Sequence, residues 1–465
     1  MELLIIIIFI IGYLAITLEH NLKLDKLIPA LAMMAICWAI IALGIDSFSS
    51  WFDSANHSLV DGFSGLNHDD KMHLAEETLL HHLGKTAEIL VFLLGAMTIV
   101  EIIDYFNGFS TIKGYVKTKS KKKILWMFAS LAFVLSAIID NLTATIILIS
   151  ILQKIVTNRD SRIWFAGLII IAANSGGAFS PIGDVTTTML WIGGKVSTVQ
   201  LFLYLFIPSL LSMVVPVFIA SFLKPFQGDI DNDLIGVDTE KEKYSSLMLY
   251  LGLSAIVFVP FFKTMTHLPP YVGMMLSLSV VATFAEIFGR RKITLVDFNS
   301  SEQSDAHAHH GPVQSSLSKI EMPSILFFLG ILMAVGALES LGILFGFAET
   351  LKESIPLLGT ELQGTNVSDT VVMLLGFGSA IIDNVPLVAA SLGMFSEPLD
   401  NPLWHFIAFS AGTGGSMLVI GSAAGVVAMG MEKIDFFWYL KKISWLAVVG
   451  FLVGSTAFIL IRELL

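Results

Sequence analysis

The six-residue run SAIIDN occurs twice in the chain, at residues 136–141 and 379–384. Each copy sets a carboxylate, Asp140 or Asp383, beside a carboxamide, Asn141 or Asn384. A carboxylate next to a neutral amide carbonyl offers hard oxygen donors, the pairing that suits alkali cations. Ser136 and Thr143 add hydroxyls around the first pair, and Ser379 does so around the second, where Pro386 stands in place of the threonine. Behind the first copy, NSGGAFSPIGDVTTTMLW (174–191) supplies Asn174, a third carboxylate Asp184, and then Thr186 and Thr187. At the matching places behind the second copy stand Gly412 and Ser422. The acidic chemistry is therefore unequal, with two carboxylates in the first set and one in the second. Each aspartate also has a plainer reading, as the N-cap of the helix that follows it.

These residues are embedded in apolar sequence, which sets what they can do. Of 465 residues, 55 % are hydrophobic and only 14 % charged, with a mean hydropathy of +0.79. Soluble domains carry about 25 % charged residues, so the composition is that of a membrane protein. An aspartate in mid-membrane costs about 2.5 to 3.5 kcal/mol on insertion scales and is read by default as functional. Two carboxylates in a low-dielectric cavity cannot both stay ionised cheaply. A bound cation favours their ionised forms, and its departure lets protons return. Competition of cation and proton for the same groups gives exchange without a separate gate.

Counting about 20 apolar residues per crossing, spans are expected near 2–18, 26–45, 87–106, 163–193, 199–223, 246–262, 270–288, 323–346, 402–431 and 436–461. The N-terminal stretch lacks a basic region and a small-residue cleavage site, and is read as a retained span. Two further stretches, 124–156 and 370–396, do not fit one crossing. The first would run about 50 Å as a single helix against a hydrocarbon core of about 30 Å. Each is read as a re-entrant hairpin with its Asp-Asn pair at the tip. On that reading 21 of the 27 Lys and Arg fall on one side. The other side holds only Lys71, Lys85, Lys195, Lys263, Lys352 and Arg462. The rich side is cytoplasmic by the positive-inside rule, which places both termini outside. Both flanks of 124–156 are basic, as a hairpin entering from the cytoplasm requires.

The flanks of the two SAIIDN runs match in kind. Leu94-Gly95 precedes the first and Leu329-Gly330 the second. SGGAFSPIGDVTT (175–187) follows the first and TGGSMLVIGSAAG (413–425) the second. Each half reads span, hairpin, interrupted span, span, with the hairpins entering from opposite sides. The expected fold is an all-α polytopic membrane protein of about ten spanning helices plus two re-entrant hairpins, arranged as an inverted repeat with interrupted helices. Such repeats place the substrate site at the midplane. The expected division is 1–86 (two spans and an outer amphipathic segment), 87–223 (first repeat), 224–322 (connecting loops and two spans) and 323–465 (second repeat).

At SAIIDNLTATIIL (136–148), the 174–191 run and SAIIDNVP (379–386), the sequence resembles the ion transporter superfamily and, within it, the NhaD-type Na⁺/H⁺ antiporters. The resemblance covers essentially the whole chain. It implies a secondary transporter, not an enzyme, in the inner membrane of a prokaryote, exporting Na⁺ or Li⁺ for protons in pH homeostasis as a homodimer. No cofactor and no nucleic-acid partner are expected. By motif it implies a site of Asp140, Asn141, Asn174, Asp184, Thr186, Thr187, Ser379, Asp383 and Asn384. Thr143 and Ser422 join it by position, and Glu88, at the start of the third span, resembles an acidic position of the family. Direct Na⁺ ligands are expected to be Asp140, Asn141, Asp184, Asp383 and Asn384, with the first tip carrying most of the exchange. An arsenite or other anion carrier of the same superfamily is the nearest rival, and a membrane-embedded hydrolase with paired aspartates a more distant one.

Other charges read as structural. Glu101 and Asp104 lie at a solvated helix end; Glu339, which corresponds to Asp104 but lies deeper, is the exception, read as evenly functional or structural. His68, His73, His81 and His82 fall on an outer surface helix; His307, His309 and His310 fall in a polar linker; 228–243 is an acidic connection. Cys37, the single cysteine, excludes an internal disulfide.

Overall fold

A computed structural model describes residues 1–17, 19–53, 58–113, 118–230, 244–297, 311–344, 346, 367–381 and 383–464. The expected histidine linker and most of the acidic connection lie outside the described residues, as does Ile382 in the second SAIIDN run.

Helices begin and end where the sequence supplies caps or breaks. The chain opens with α1 (Glu2–Thr17) and α2 (Leu27–Leu43), which pack on each other. Asn67 caps α3 (His68–Tyr105) by accepting from the Asp70 amide. Then come α4 (Lys121–Ile139) and α5 (Asn141–Ile155), separated only by Asp140, and α6 (Arg159–Ala178), capped by Asn158. After a non-helical break, Asp184 starts α7 (Val185–Ile192), and Ser197 caps α8 (Thr198–Ala220). The middle is α9 (Ser245–Thr266) and α10 (Pro270–Asp297). Next come α11 (Met322–Ser340), α12 (Asp369–Ile381) and α13 (Asn384–Met394) separated at Asp383, then α14 (Pro402–Gly414) and, past another break, α15 (Ala423–Glu432). The expected last span, 436–461, bends at Ile443 into α16 (Phe436–Lys442) and α17 (Ser444–Arg462).

Among the described residues seven helices are long and apolar enough to cross a membrane: α3, α4, α8, α9, the Pro270–Gly289 part of α10, α11 and α17. Shorter apolar helices, including α1, α2, α5, α12, α13 and α15, complete an all-helical polytopic membrane protein. Two expectations change. The outer amphipathic segment and the third span are one helix of 38 residues, about 57 Å long at 1.5 Å per residue. Its histidines are also not all at the surface. His82 is buried, within 6.2 Å of the Trp38 ring on α2 and 3.4 Å from the Ser340 hydroxyl on α11. Polar composition disguised this, because α2 and α11 cover one side of a segment that reads as hydrophilic. Cys37 is buried within α2.

Similar contacts recur around the two Asp-Asn breaks. Ser136 Oγ donates to Ala173 O at 2.6 Å, and Ser379 Oγ donates to Ala411 O at 2.7 Å. Each bond ties the arm before an Asp-Asn pair to the interrupted helix behind it. Glycines make this approach possible: a Cβ added at Gly176 would meet Phe133 O, and one at Gly414 would meet Gly376 O, each at 2.1 Å. The second arms exchange partners, since α5 packs on α15 and α13 packs on α7. The two interrupted helices, α6 and α14, meet between them, with Gly412 against Ala178.

Ion pairs lock the periphery of this frame. Arg162 Nε lies 3.0 Å from both carboxylate oxygens of buried Glu432, joining the start of α6 to the end of α15. Arg462, in α17, holds buried Asp369 of α12 through two bonds of 2.6 and 2.9 Å. Removing one partner of a buried pair costs about 3–5 kcal/mol. Asp369→Ala is therefore expected to lower the thermal stability of the detergent-solubilised protein by that order. A loss below about 1 kcal/mol would show that Arg462 is held by its other contacts.

Candidate cation–proton site

The breaks put three carboxylates into one region with different local bonding. Asp140 ends α4 with φ +108° and ψ 159°, a conformation that L-residues rarely adopt and that costs about 1–3 kcal/mol. Its Oδ1 accepts the Thr143 amide at 2.7 Å and its Oδ2 the Thr143 hydroxyl at 2.8 Å. These bonds hold the strained turn and cap α5. Asp184 caps α7 in the same manner, its Oδ1 accepting the amide and the hydroxyl of Thr186, each at 2.9 Å. The capping reading thus holds for both residues. Asp383, with φ −45° and ψ 138°, caps nothing.

Capping does not exhaust Asp184. Asn141 donates its amide to Asp184 Oδ2 at 2.7 Å, and Asn384 donates to the same oxygen at 3.1 Å and to Oδ1 at 3.3 Å. Amides from both SAIIDN runs therefore converge on one carboxylate that is almost fully buried. Asn141 also donates to Asn174 Oδ1 at 3.1 Å, and Asn174 donates to Ser422 Oγ at 2.9 Å. This chain of amides links Asp184 to its counterpart in the later half, where Ser422 caps α15 through the Gly425 amide. Donor bonds of this kind favour the charged carboxylate, while burial opposes it.

Asp140, Asn141, Thr143, Asp184, Asp383 and Asn384 line one cavity of about 60 Å³, walled by Phe92 and Phe328. Room of this order admits a small ion or a water or two. The remaining expected residues stand behind it or away from it. Thr186 is turned to Asp184, and Thr187 donates to Ser180 O at 2.7 Å, holding the break in α6–α7. Ser379 braces α14, and Asn174 and Ser422 form the amide chain. Glu88 does not line the cavity; it is half-buried on α3, and its charge acts on Lys263 of α9. Among the described residues no three carboxylate, imidazole or thiol groups close into a metal cage. The three aspartates share a cavity without forming a common ligand shell.

Sequence reasoning missed Lys26. Counted there only among the basic residues of the cytoplasmic side, at the start of the expected span 26–45, it lines the cavity, with its Nζ 3.5 Å from Asp383 Oδ2. At Lys26 and Asp383 the cavity adjoins a pocket of about 500 Å³, lined by Tyr13, Thr17, Glu19, Lys23 and Asp25. A separate pocket of about 390 Å³, lined by His81, His82, Lys85, Lys195 and Glu339, shares no lining residue with the cavity. Glu339, rated even between roles on sequence, thus belongs to this second opening.

Apolar helices surround this carboxylate–amide cavity, with a wider pocket on one approach, the kind of site that secondary transporters build at broken helices. Residues 4–399 match the model of a family described as "Citrate transporter". Relatives over the whole chain carry a more specific description. Sodium/proton antiporter 1 of Arabidopsis thaliana is 40 % identical over 98 % of this chain and 72 % of its own length. Sodium/proton antiporter 2 of the same plant is 36 % identical over 98 % of this chain and 99 % of its own. The Na⁺/H⁺ antiporter NhaD of Vibrio cholerae is 31 % identical over 98 % and 91 %. The chain belongs to the NhaD-type Na⁺/H⁺ antiporters, within the family that the citrate-transporter model describes.

Proposed function

We propose that the chain exchanges cytoplasmic Na⁺, or Li⁺, for external protons at the cavity between its two interrupted helices. The observation that carries this reading is Asp184, a buried carboxylate held by Asn141 and Asn384 from the two SAIIDN runs. A cation bound among Asp140, Asn141, Asp184, Asp383 and Asn384 stabilises the ionised carboxylates; when it leaves, protons replace it. Asn174, Thr143, Thr186, Thr187, Ser379 and Ser422 keep these groups in place, and Glu88 acts from outside the cavity.

The exchange needs access from alternate sides, for which an inverted repeat is the natural frame. The matching Ser136 and Ser379 bonds and the reciprocal packing of α5 on α15 and α13 on α7 support two related halves, 87–223 and 323–465. In this reading α4–α5 and α12–α13 are re-entrant hairpins from opposite faces, both termini lie outside a cytoplasmic membrane, and the protein works as a homodimer. The pocket bearing Lys23, Asp25 and Lys26 then faces the cytoplasm, and the separate pocket bearing Lys85 and Lys195 faces out. An arsenite or other anion carrier fits less well. The cavity is lined by three carboxylates against one lysine, a set of oxygen donors that suits a cation rather than an anion.

Membrane vesicles containing the protein, loaded with a fluorescent pH probe, test the proposal. Proton movement is expected on adding Na⁺ or Li⁺, and a much weaker response to K⁺. No response to any of the three, with transport of arsenite or citrate instead, would transfer the protein to the rival class.

A further inference from the structure

We propose that the ammonium group of Lys26 occupies the cation's place at Asp383 and must leave before Na⁺ binds there. This inference rests on the cation-site reading above and adds a residue to it.

Asp383 differs from the other two aspartates in having no polar bonds of its own. Asp140 has both oxygens engaged by Thr143, and Asp184 has both engaged by Thr186, Asn141 and Asn384. Asp383 Oδ1 is buried and accepts no hydrogen bond, while Oδ2 meets only the Lys26 charge. A buried carboxylate with an unmet acceptor needs a positive neighbour. Here that neighbour is mobile in kind. The 3.5 Å separation exceeds the 2.7–2.9 Å typical of a tight charge-assisted bond. Lysine carries a compact charge on a flexible stem and lacks the fork with which arginine would lock a carboxylate.

Lys26 also has somewhere to go. Its Nζ already lies 4.6 Å from the centre of the Phe327 ring, a second favourable station for an ammonium. The adjoining pocket adds the carboxylates of Glu19 and Asp25 beside Lys23. Lys26 stands at the junction of pocket and cavity, so an ion entering that way meets the ammonium at Asp383 first. The lysine keeps Asp383 neutralised between cycles and is exchanged for the incoming ion. It also sets affinity, since a site competent for only about a tenth of the time binds about tenfold more weakly.

The test is the dependence of exchange on Na⁺ concentration in proteoliposomes of the full-length protein. Lys26→Gln is expected to lower the apparent KM for Na⁺ by about three- to tenfold, and to lower the maximal rate because the ion leaves more slowly. Lys26→Arg, which keeps the charge, is expected to leave KM nearer that of the wild type. An unchanged or raised KM in Lys26→Gln would overturn the proposal. If that variant does not fold, methylation of the Lys26 amine in the wild type decides: it should rise when Na⁺ replaces choline at constant ionic strength, and an equal rate in both overturns the inference. Asp383→Asn separates the two layers. Normal Na⁺ exchange in that variant would remove Asp383 from the site and the lysine's role with it, leaving the reading carried by Asp184, whereas defective exchange there with an unaltered KM in Lys26→Gln would remove only the role of the lysine.

Discussion

Asp184→Asn is expected to lower Na⁺-driven proton exchange by at least about a hundredfold, equivalent to about 2.7 kcal/mol or more. The substitution removes the one carboxylate to which both Asn141 and Asn384 donate. It deletes a proton-carrying group and a negative charge where any bound cation must be balanced. It also replaces an acceptor-only group by an amide whose NH₂ faces other NH₂ donors. One donor then loses its partner, at about 1–3 kcal/mol, so some loss of stability is expected alongside the loss of exchange. Thermal unfolding of the purified variant separates the two effects. A variant that unfolds near the wild-type temperature yet exchanges nothing places the defect in the chemistry. Exchange above about a tenth of the wild-type rate would mean that Asp184 is a helix cap and little more.

The second large effect concerns backbone approach. Gly176→Ala and Gly414→Ala each put a methyl carbon 2.1 Å from a carbonyl oxygen of the facing arm, Phe133 O or Gly376 O. Carbon–oxygen contacts settle near 3.3–3.6 Å, so the helices must part by more than 1 Å. Backbone lies on both sides, and neither can rotate away as a side chain could. Overpacking usually costs 1–3 kcal/mol and occasionally more; this geometry belongs at the upper end, about 3 kcal/mol. Parting α4 from α6 also moves Asp140 relative to Asp184, because Asp140 ends α4 and Asp184 caps α7 across the break that follows α6. Both variants are expected to accumulate poorly and to show little exchange in what remains. Gly430→Ala, where an added Cβ meets nothing within 4 Å on α15, is the control. It is expected to change stability by no more than about 1 kcal/mol, in the stabilising direction, from helix propensity. Normal yield and exchange in Gly176→Ala would contradict the close-approach account.

Much of the site was legible because its parts are local. The Asp-Asn pairs, the glycine-rich interruptions and the carboxylate Asp184 all lie within short motifs, and the structure breaks its helices at those places. Cap and cation-site readings are compatible at Asp184, which caps α7 and faces the amides with the same carboxylate. Lys26 could not be found this way. Its partner Asp383 lies in a distant part of the sequence, and the contact depends on how α2 packs on α11. The two tips also differ in bonding. Asp140 is the most fully bonded of the tip carboxylates, and Asp383 the most exposed to exchange with a mobile charge. The continuous α3 was hidden for a related reason, since a polar helix end covered by neighbours has the composition of a surface segment.

The central claim is that Na⁺ and protons compete for the carboxylates of one cavity. It is tested most directly without transport, by adding Na⁺ to the purified wild-type protein in weakly buffered detergent solution and following proton release. Release that saturates with Na⁺, is absent with choline and is lost in Asp184→Asn is the predicted result. No release from the wild type, or equal release from Asp184→Asn, would contradict it.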